Sequence, residues 1–433
     1  LIKTENIKKY PAYKSSGVEW IGEVPEHWEV MRLGNKFKER RTKVSDKDFP
    51  PLSVTKNGIV PQLATAAKSK DGDNRKLVRK GDFVINSRSD RKGSSGIAFE
   101  DGSVSLINIV MQPKGISPIF CNYLLKGYSF IEEFYRMGHG IVADLWTTRY
   151  DEMKNIKVAI PPLSEQTQIA NFLDKKTKDI DIAIAQKQQL ISLLEERKQI
   201  IIQDAVTKGI DKTAKLKESG IEWIGKIPEH WEVKRLKYFS SLKARIGFHG
   251  LNSSDFTDEG EAYCITGTDF KDGKIDFKDC YKVSEYWYKM DKNIQVANND
   301  LLVTKDGTIG KTAIVSNLKE KATLNSGVFL LRTIEEIFVK YLYWSLNSKL
   351  FTSQIDIVSR GSTIIHLYER DFKNFLFLVP PLSEQKQIVS HIESASKKID
   401  KAISLQKKQI KKLKEYKSVL IDAAVTGKIK VSE

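Results

Sequence analysis

The stretch 161–209 occurs twice, and this repeat constrains the fold more tightly than any other feature. It opens PPLSEQTQIANFL and closes AVTKG. The second copy, 380–427, opens PPLSEQKQIVSHI and closes AVTG. An offset of 219 (380 − 161) aligns the copies without a gap as far as AVT. Eight apolar positions then coincide: Ile169/Ile388, Leu173/Ile392, Ile180/Ile399, Ile184/Ile403, Ile191/Ile410, Leu194/Leu413, Ile201/Leu420 and Ala205/Ala424. Their spacings of 4, 7, 4, 7, 3, 7 and 4 predict one apolar stripe on a long helix, close to a coiled-coil seam. The Pro-Pro pairs block helix before Leu163 and Leu382. Ser164 and Ser383 are the expected N-caps, with Glu165 and Glu384 in the first turn. Gly209 and Gly427 close the helices. Some 44 residues make a rod on the order of 65 Å. A rod with one narrow seam cannot bury it alone, so each copy is expected to pair with the other.

A second repeat precedes each intervening region. Residues 18–30 read VEWIGEVPEHWEV and residues 221–233 read IEWIGKIPEHWEV. The chain therefore reads as a tandem duplication of lead-in motif, variable region and helix. Trp20, Trp28, Trp223 and Trp231 crowd the motifs, and His27 and His230 beside them read as packed rather than catalytic residues. Each variable region has a strand after an acidic turn (DFVIN at 82–86, DLLVT at 300–304) and then a Gly-x-x-Gly loop. An apolar strand and an amphipathic helix follow. Many short strands with few helices predict α+β domains. The expected partition is a first recognition domain at 1–158, a central helix at 159–209, a second domain at 210–378 and a distal helix at 379–433.

Net charge is +16, from 71 basic and 55 acidic residues, the footprint of a polyanion partner. Between Arg40 and Glu100 there are 14 basic and 7 acidic residues. The second long helix, 382–426, has 10 against 5, whereas 163–207 has 6 against 7. No run of about 18 apolar residues is present, and the N-terminal residues lack a signal-peptide core, so a cytoplasmic protein is expected. Cys121, Cys264 and Cys280 form no CxxC, which points to free thiols rather than a zinc site.

KDGTIGKT at 305–312 resembles a phosphate loop but has Lys305 where the first Gly of GxxxxGK[ST] belongs. There is no methyltransferase N-P-P-[FY], no HExxH and no nuclease cluster. Pairs such as Asp144/Arg149 or Asp269/Asp272 read as solvated turns. The loops suited to DNA carry Arg75, Lys76, Arg88, Arg91, Lys92, Ser94 and Ser95 in the first region. In the second region they carry Lys243, Arg245, His249, Lys305, Thr308, Lys311, Arg360, Ser362 and Thr363. Arginine pairs bidentately with guanine, and Ser or Lys holds phosphates.

The doubled PPLSEQ helices, doubled EWIGxxPEHWEV motifs and AVTKG/AVTG endings together resemble the specificity subunits of type I restriction–modification systems. KARIGFHGL (243–251), TGTDF (266–270), LNSGV (324–328) and GSTIIHLY (361–368) resemble one recurrent recognition-domain type. Residues 67–96 and GHGIVADLW (138–146) resemble another. The resemblance implies two globular α/β target-recognition domains joined by two long antiparallel coiled-coil helices with pseudo-twofold symmetry. Each domain would read one half of a split double-stranded DNA site. The subunit would be non-catalytic and hold no cofactor. It would direct adenine N6 methylation by two modification subunits, and cleavage by restriction subunits. S-adenosylmethionine, ATP and magnesium would belong to those partners. The rival readings are a self-contained DNA methyltransferase or nuclease, and a helical scaffold with no DNA role.

Overall fold

A computed structural model describes residues 8–65, 72–140, 146–246, 251–257, 259–359 and 366–431. The long helices run Leu163–Lys208 and Leu382–Val425. They begin at the leucine after each Pro-Pro pair. Ser164 and Ser383 therefore lie inside the first turn rather than at the expected N-cap, and the first helical bonds run from Gln166 N to Pro162 O and from Gln385 N to Pro381 O, both at 3.0 Å. The chain divides into two compact units. One is Leu1–Gln188 with Lys407–Glu433, the other Gln189–Gln406. Each unit contains one variable region and half of each long helix.

In the first unit a four-stranded antiparallel sheet runs in the order Ser95–Ile97, Phe83–Asn86, Asn108–Pro113, Phe37–Glu39. The strand Phe83–Asn86 is buried along its whole length, its apolar Phe83, Val84 and Ile85 and also the polar Asn86 at its end. Asp82, just before it, accepts Arg79 N at 2.9 Å and both arms of the Arg40 guanidinium at 2.6 and 3.0 Å. A three-stranded sheet (Gly102–Val104, Arg75–Val78, Lys43–Val44) and a hairpin, Leu52–Thr55 with Gly58–Pro61, complete the layer. The helix Pro118–Lys126 follows, with Ser117 as N-cap and proline at its first position.

The second unit repeats the four-stranded order with Thr312–Ile314, Leu301–Thr304, Val328–Thr333 and Ser240–Ala244. Asp300 occupies the place of Asp82, accepting Ala297 N at 2.7 Å. Its arginine clamp, Arg332, comes from a different strand. The smaller sheet differs in kind: Ala262–Ile265 pairs parallel with Lys321–Leu324.

The PPLSEQ motif docks each helix onto its own unit. Gln166 is buried, accepts Ser117 N at 2.8 Å and donates to Pro161 O at 2.9 Å. Gln385 does the same with Phe338 N and Pro380 O. His27 and His230 are half exposed. Their Nε2 atoms meet Glu165 at 2.8 Å and Glu384 at 2.7 Å, so they are tethers rather than packed rings. The fully buried residues of the motifs are Trp28 and Trp231. Trp28 and Pro25 sit against Gly427, and Trp231 and Pro228 against Gly209.

The helix halves within each unit are antiparallel. In the first unit Lys417 Nζ meets Asp181 at 2.7 Å and Lys187 Nζ meets Gln409 at 2.5 Å. In the second, Lys198 Nζ meets Asp400 at 2.8 Å. Ile169, Leu173, Ile180, Ile184, Ile410 and Leu420 are buried in the first unit, with Leu413 half-buried. Ile388, Ile392, Ile399 and Ile403 are buried in the second, with Ile191 and Leu194 half-buried. Ile201 is only half-buried, and its neighbour Ile202 takes the core position beside Trp231, Tyr341 and Leu378. A straight helix drifts from a strict seam, and here its last turns must also face the lead-in motif.

Candidate nucleic-acid interface

A hairpin loop follows the central strand of each unit, and backbone bonds fix its shape. In the first unit it spans 87–94. Asn86 N donates to Ser94 O at 2.9 Å to close the loop, and Thr148 N donates to Ser87 O at 3.0 Å to tie it to the incoming chain. In the second unit it spans 305–311, with Thr304 N donating to Lys311 O at 2.9 Å and Leu367 N to Lys305 O at 3.0 Å. Gly93, Gly307 and Gly310 adopt positive φ in these turns.

Arg88, Arg91 and Lys92 are exposed on the first loop. Arg91 stands 3.6 Å from Asp90, and Lys92 is engaged by Glu132 at 2.6 Å. Lys76 is half-buried, its Nζ donating to Asn108 O at 2.8 Å. Thr308 and Lys311 are exposed on the second loop. Lys305 lies over the Phe329 ring and beside Asp306, whose carboxylate meets His366 Nδ1 at 2.7 Å. Lys243 is exposed on its edge strand.

Four residues expected in exposed DNA-facing loops are buried instead. Arg75 is 5% exposed, with Nε donating to Ser103 Oγ at 2.8 Å and Nη2 to Ser103 O at 3.0 Å. Arg245 is 4% exposed and donates to Leu324 O at 2.7 Å and Thr323 Oγ1 at 3.1 Å. Burial lowers the pKa of both guanidinium groups. Both arginines brace strands from inside. Ser94 and Ser95 are also buried, where the loop closes into the strand. His249, Arg360, Ser362 and Thr363 lie outside the described residues.

Two arginines that loop composition does not pick out stand with Arg88. Arg41 and Arg149 are exposed and line, with Arg88, a cleft of about 370 Å³ in the first unit. Strand alternation could have found Arg41: its neighbour Arg40 points inward to Asp82, so Arg41 must point out. Arg149 carries no signal in the sequence that separates it from an arginine of a solvated turn. On the other side of the 105–108 turn lies a cleft of about 660 Å³, lined by Lys56, Gln62 and Arg91 among others.

Among the described residues no group of His, Cys, Asp or Glu could hold a metal ion, and no helix is long and apolar enough to cross a membrane. The three cysteines are free and buried, and burial pushes the Cys264 thiol up to about 12.

The family model for the type I restriction modification DNA specificity domain matches residues 25–192 and again 228–415. The chain is 26% identical over 429 residues to the type I restriction enzyme MjaVIII specificity subunit of Methanocaldococcus jannaschii, covering 94% of each. Its fold is similar to a chain from a structural study of complex assembly and conformational transition of the type I R-M system. The TM-score is 0.70 at 16% identity, over 93% of this chain and 98% of that one. The HsdS subunit of Thermoanaerobacter tengcongensis has a TM-score of 0.54 at 17% identity, over 94% and 98%.

Proposed function

Because the chain belongs to the type I restriction modification DNA specificity family, we propose that it is the DNA-recognition subunit of a type I restriction–modification complex, each unit reading one half of a bipartite site. The observation that carries this reading is the pairing of one scaffold with two surfaces. Both units share strand order and loop closure, while the exposed loop residues differ almost throughout. A protein that needed one chemistry would have no use for two versions of its most exposed loop. The non-catalytic assignment follows from the family, whose matched domain confers specificity. Adenine N6 methylation is then the work of two modification subunits, with S-adenosylmethionine. Cleavage belongs to restriction subunits with ATP and magnesium. The long helices are the natural docking surface for the modification subunits, and the complex acts in the cytoplasm, where its DNA is.

Mapping methylated adenines by long-read sequencing, in cells expressing the chain with its modification partner, tests this. A split motif is expected. Replacing residues 34–158 with the matching region of another family member should change one half and leave the other. A change in both halves, or methylation without a motif, would overturn the reading.

A further inference from the structure

The turn 105–108 of the first unit breaks a rule that its counterpart obeys. Turn tips favour Gly, Asn and Ser, which can hold the backbone and face water. The matching turn of the second unit does this: it reads Asn325-Ser326-Gly327, and the Asn325 side chain accepts Gly327 N at 3.0 Å. The two turns are equivalent by their bonds. Ile107 O accepts Ser87 N at 3.4 Å, and Gly327 O accepts Lys305 N at 2.9 Å, in each case from the first residue of the hairpin loop. In the first unit, however, the tip is Leu106-Ile107, 40% and 39% exposed. Two adjacent large aliphatic side chains stand in water where polar residues would serve the turn. Single exposed aliphatics need no explanation, but this pair forms a crest: Ile107 lines both the cleft holding Arg41, Arg88 and Arg149 and the cleft holding Arg91, and Leu106 lines the first.

Within the reading that each unit binds DNA, we propose that Leu106 and Ile107 are specificity-determining residues that contact thymine 5-methyl groups in the major groove of the first half-site. The methyl is the one apolar group a base pair presents there. The flanking arginines supply the phosphate or guanine contacts that press the crest onto the bases. The exposure also selects this role over intercalation. Each side chain is more than half anchored, which leaves a low ridge suited to surface contact, whereas a wedge between base steps must project freely. The polar Asn325-Ser326-Gly327 tip of the second unit carries no methyl-reading surface, so the inference is confined to one half-site.

The test uses the full chain assembled with its modification partners, and a duplex bearing the mapped site. Deoxyuridine replaces thymine one position at a time, which removes the methyl and nothing else. Binding should weaken about fourfold for each methyl contacted, in the half-site assigned to residues 34–158 and not in the other. A Leu106→Ser/Ile107→Gly variant should lose that response. An unchanged fold-loss of binding when only the second half-site is altered will show that it is folded. A first half-site without thymine, a wild-type complex indifferent to deoxyuridine there, or a variant that keeps the wild-type response would each overturn the proposal. All three leave bipartite recognition standing, whereas a complex with no sequence preference would remove the proposed function itself.

Discussion

The two units place different side chains at three equivalent points of one scaffold. Strand register aligns Arg41 with Ala244, because Glu39 pairs with Met111 and Leu242 with Leu331, at the same depth in the two sheets. The loop ties align Arg88 with Asp306 and Arg149 with Tyr368. Three arginines in one unit thus become Ala, Asp and Tyr in the other, with the backbone bonds around them retained. Even the clamp on the buried aspartate keeps its function while changing its source, Arg40 in one unit and Arg332 in the other. The difference teaches where variation is tolerated. Positions whose backbone is bonded but whose side chain points to water can change without cost to the fold. That is the property a reader of variable DNA sequences requires.

The largest effects should come from positions where the repeat makes the units look the same. Gly427 and Gly209 both close a long helix at positive φ, +74° and +75°. Alanine in either costs about 1–2 kcal/mol for the left-handed backbone. Beyond that they diverge. A Cβ at Gly427 runs into the Pro25 ring, which is held in the lead-in turn. A Cβ at Gly209 stands 3.1 Å from the Glu384 carboxylate and 3.2 Å from Trp231. A carboxylate can swing aside and a proline ring cannot, so Gly427→Ala should lose about 1–3 kcal/mol more through overpacking. Thermal unfolding of the two variants checks the order. Equal losses would mean that the lead-in motifs are interchangeable.

Those helix ends were the most legible part of the chain. The gapless repeat of the apolar positions predicts their pairing, and in each unit Gln166 or Gln385 of the PPLSEQ motif reaches the start of the neighbouring helix. The recognition surface was much less legible. Loop composition picked out Arg88 and Arg91 but could not separate them from Arg75 and Arg245. Those two arginines are buried by partners far along the chain, Ser103 and Leu324. A local window does not contain the acceptor that turns an arginine inward. Leu106 and Ile107 escaped for the opposite reason: two aliphatics in sequence read as core until the turn beneath them is known.

Charge removal should separate the units next. If Arg41, Arg88 and Arg149 face phosphates, changing all three to Gln should reduce the slope of log affinity against log salt. The reduction should be about 0.9 for each phosphate no longer neutralised, or about 2–3 in all. Lys311→Gln in the second unit should reduce it by about 1 at most. Titrations at several salt concentrations, with the partners present, measure both. A triple variant with the wild-type slope would place the phosphates elsewhere on the first unit.

The smallest expected effect lies where each unit packs a helix on a long helix. Tyr123 OH donates to Asp174 at 2.7 Å and lies 3.2 Å from Thr177 Oγ1. The matching residues of the second unit are Trp344, Glu393 and Ser396, and there the buried Trp344 Nε1 and Ser396 Oγ have no partner among the described residues. Tyr123→Phe should therefore cost about 1 kcal/mol, the net value of a hydrogen bond, while Ser396→Ala should cost nothing or stabilise slightly. Alkali sharpens the contrast. Burial, and then the bond to Asp174, push the Tyr123 phenol up to about 12. Its ordinary value is about 10. A pKa raised in the folded state gives stability that is complete below the unfolded value and is lost as pH rises through the folded one. The contribution of Tyr123 should thus fade between pH about 10 and 12, and Tyr123→Phe should flatten that part of the stability profile. Trp344 has no proton to lose at the equivalent place. If Ser396→Ala destabilises as much as Tyr123→Phe, the two helix contacts are alike in energy and the asymmetry of their hydrogen bonds carries no weight.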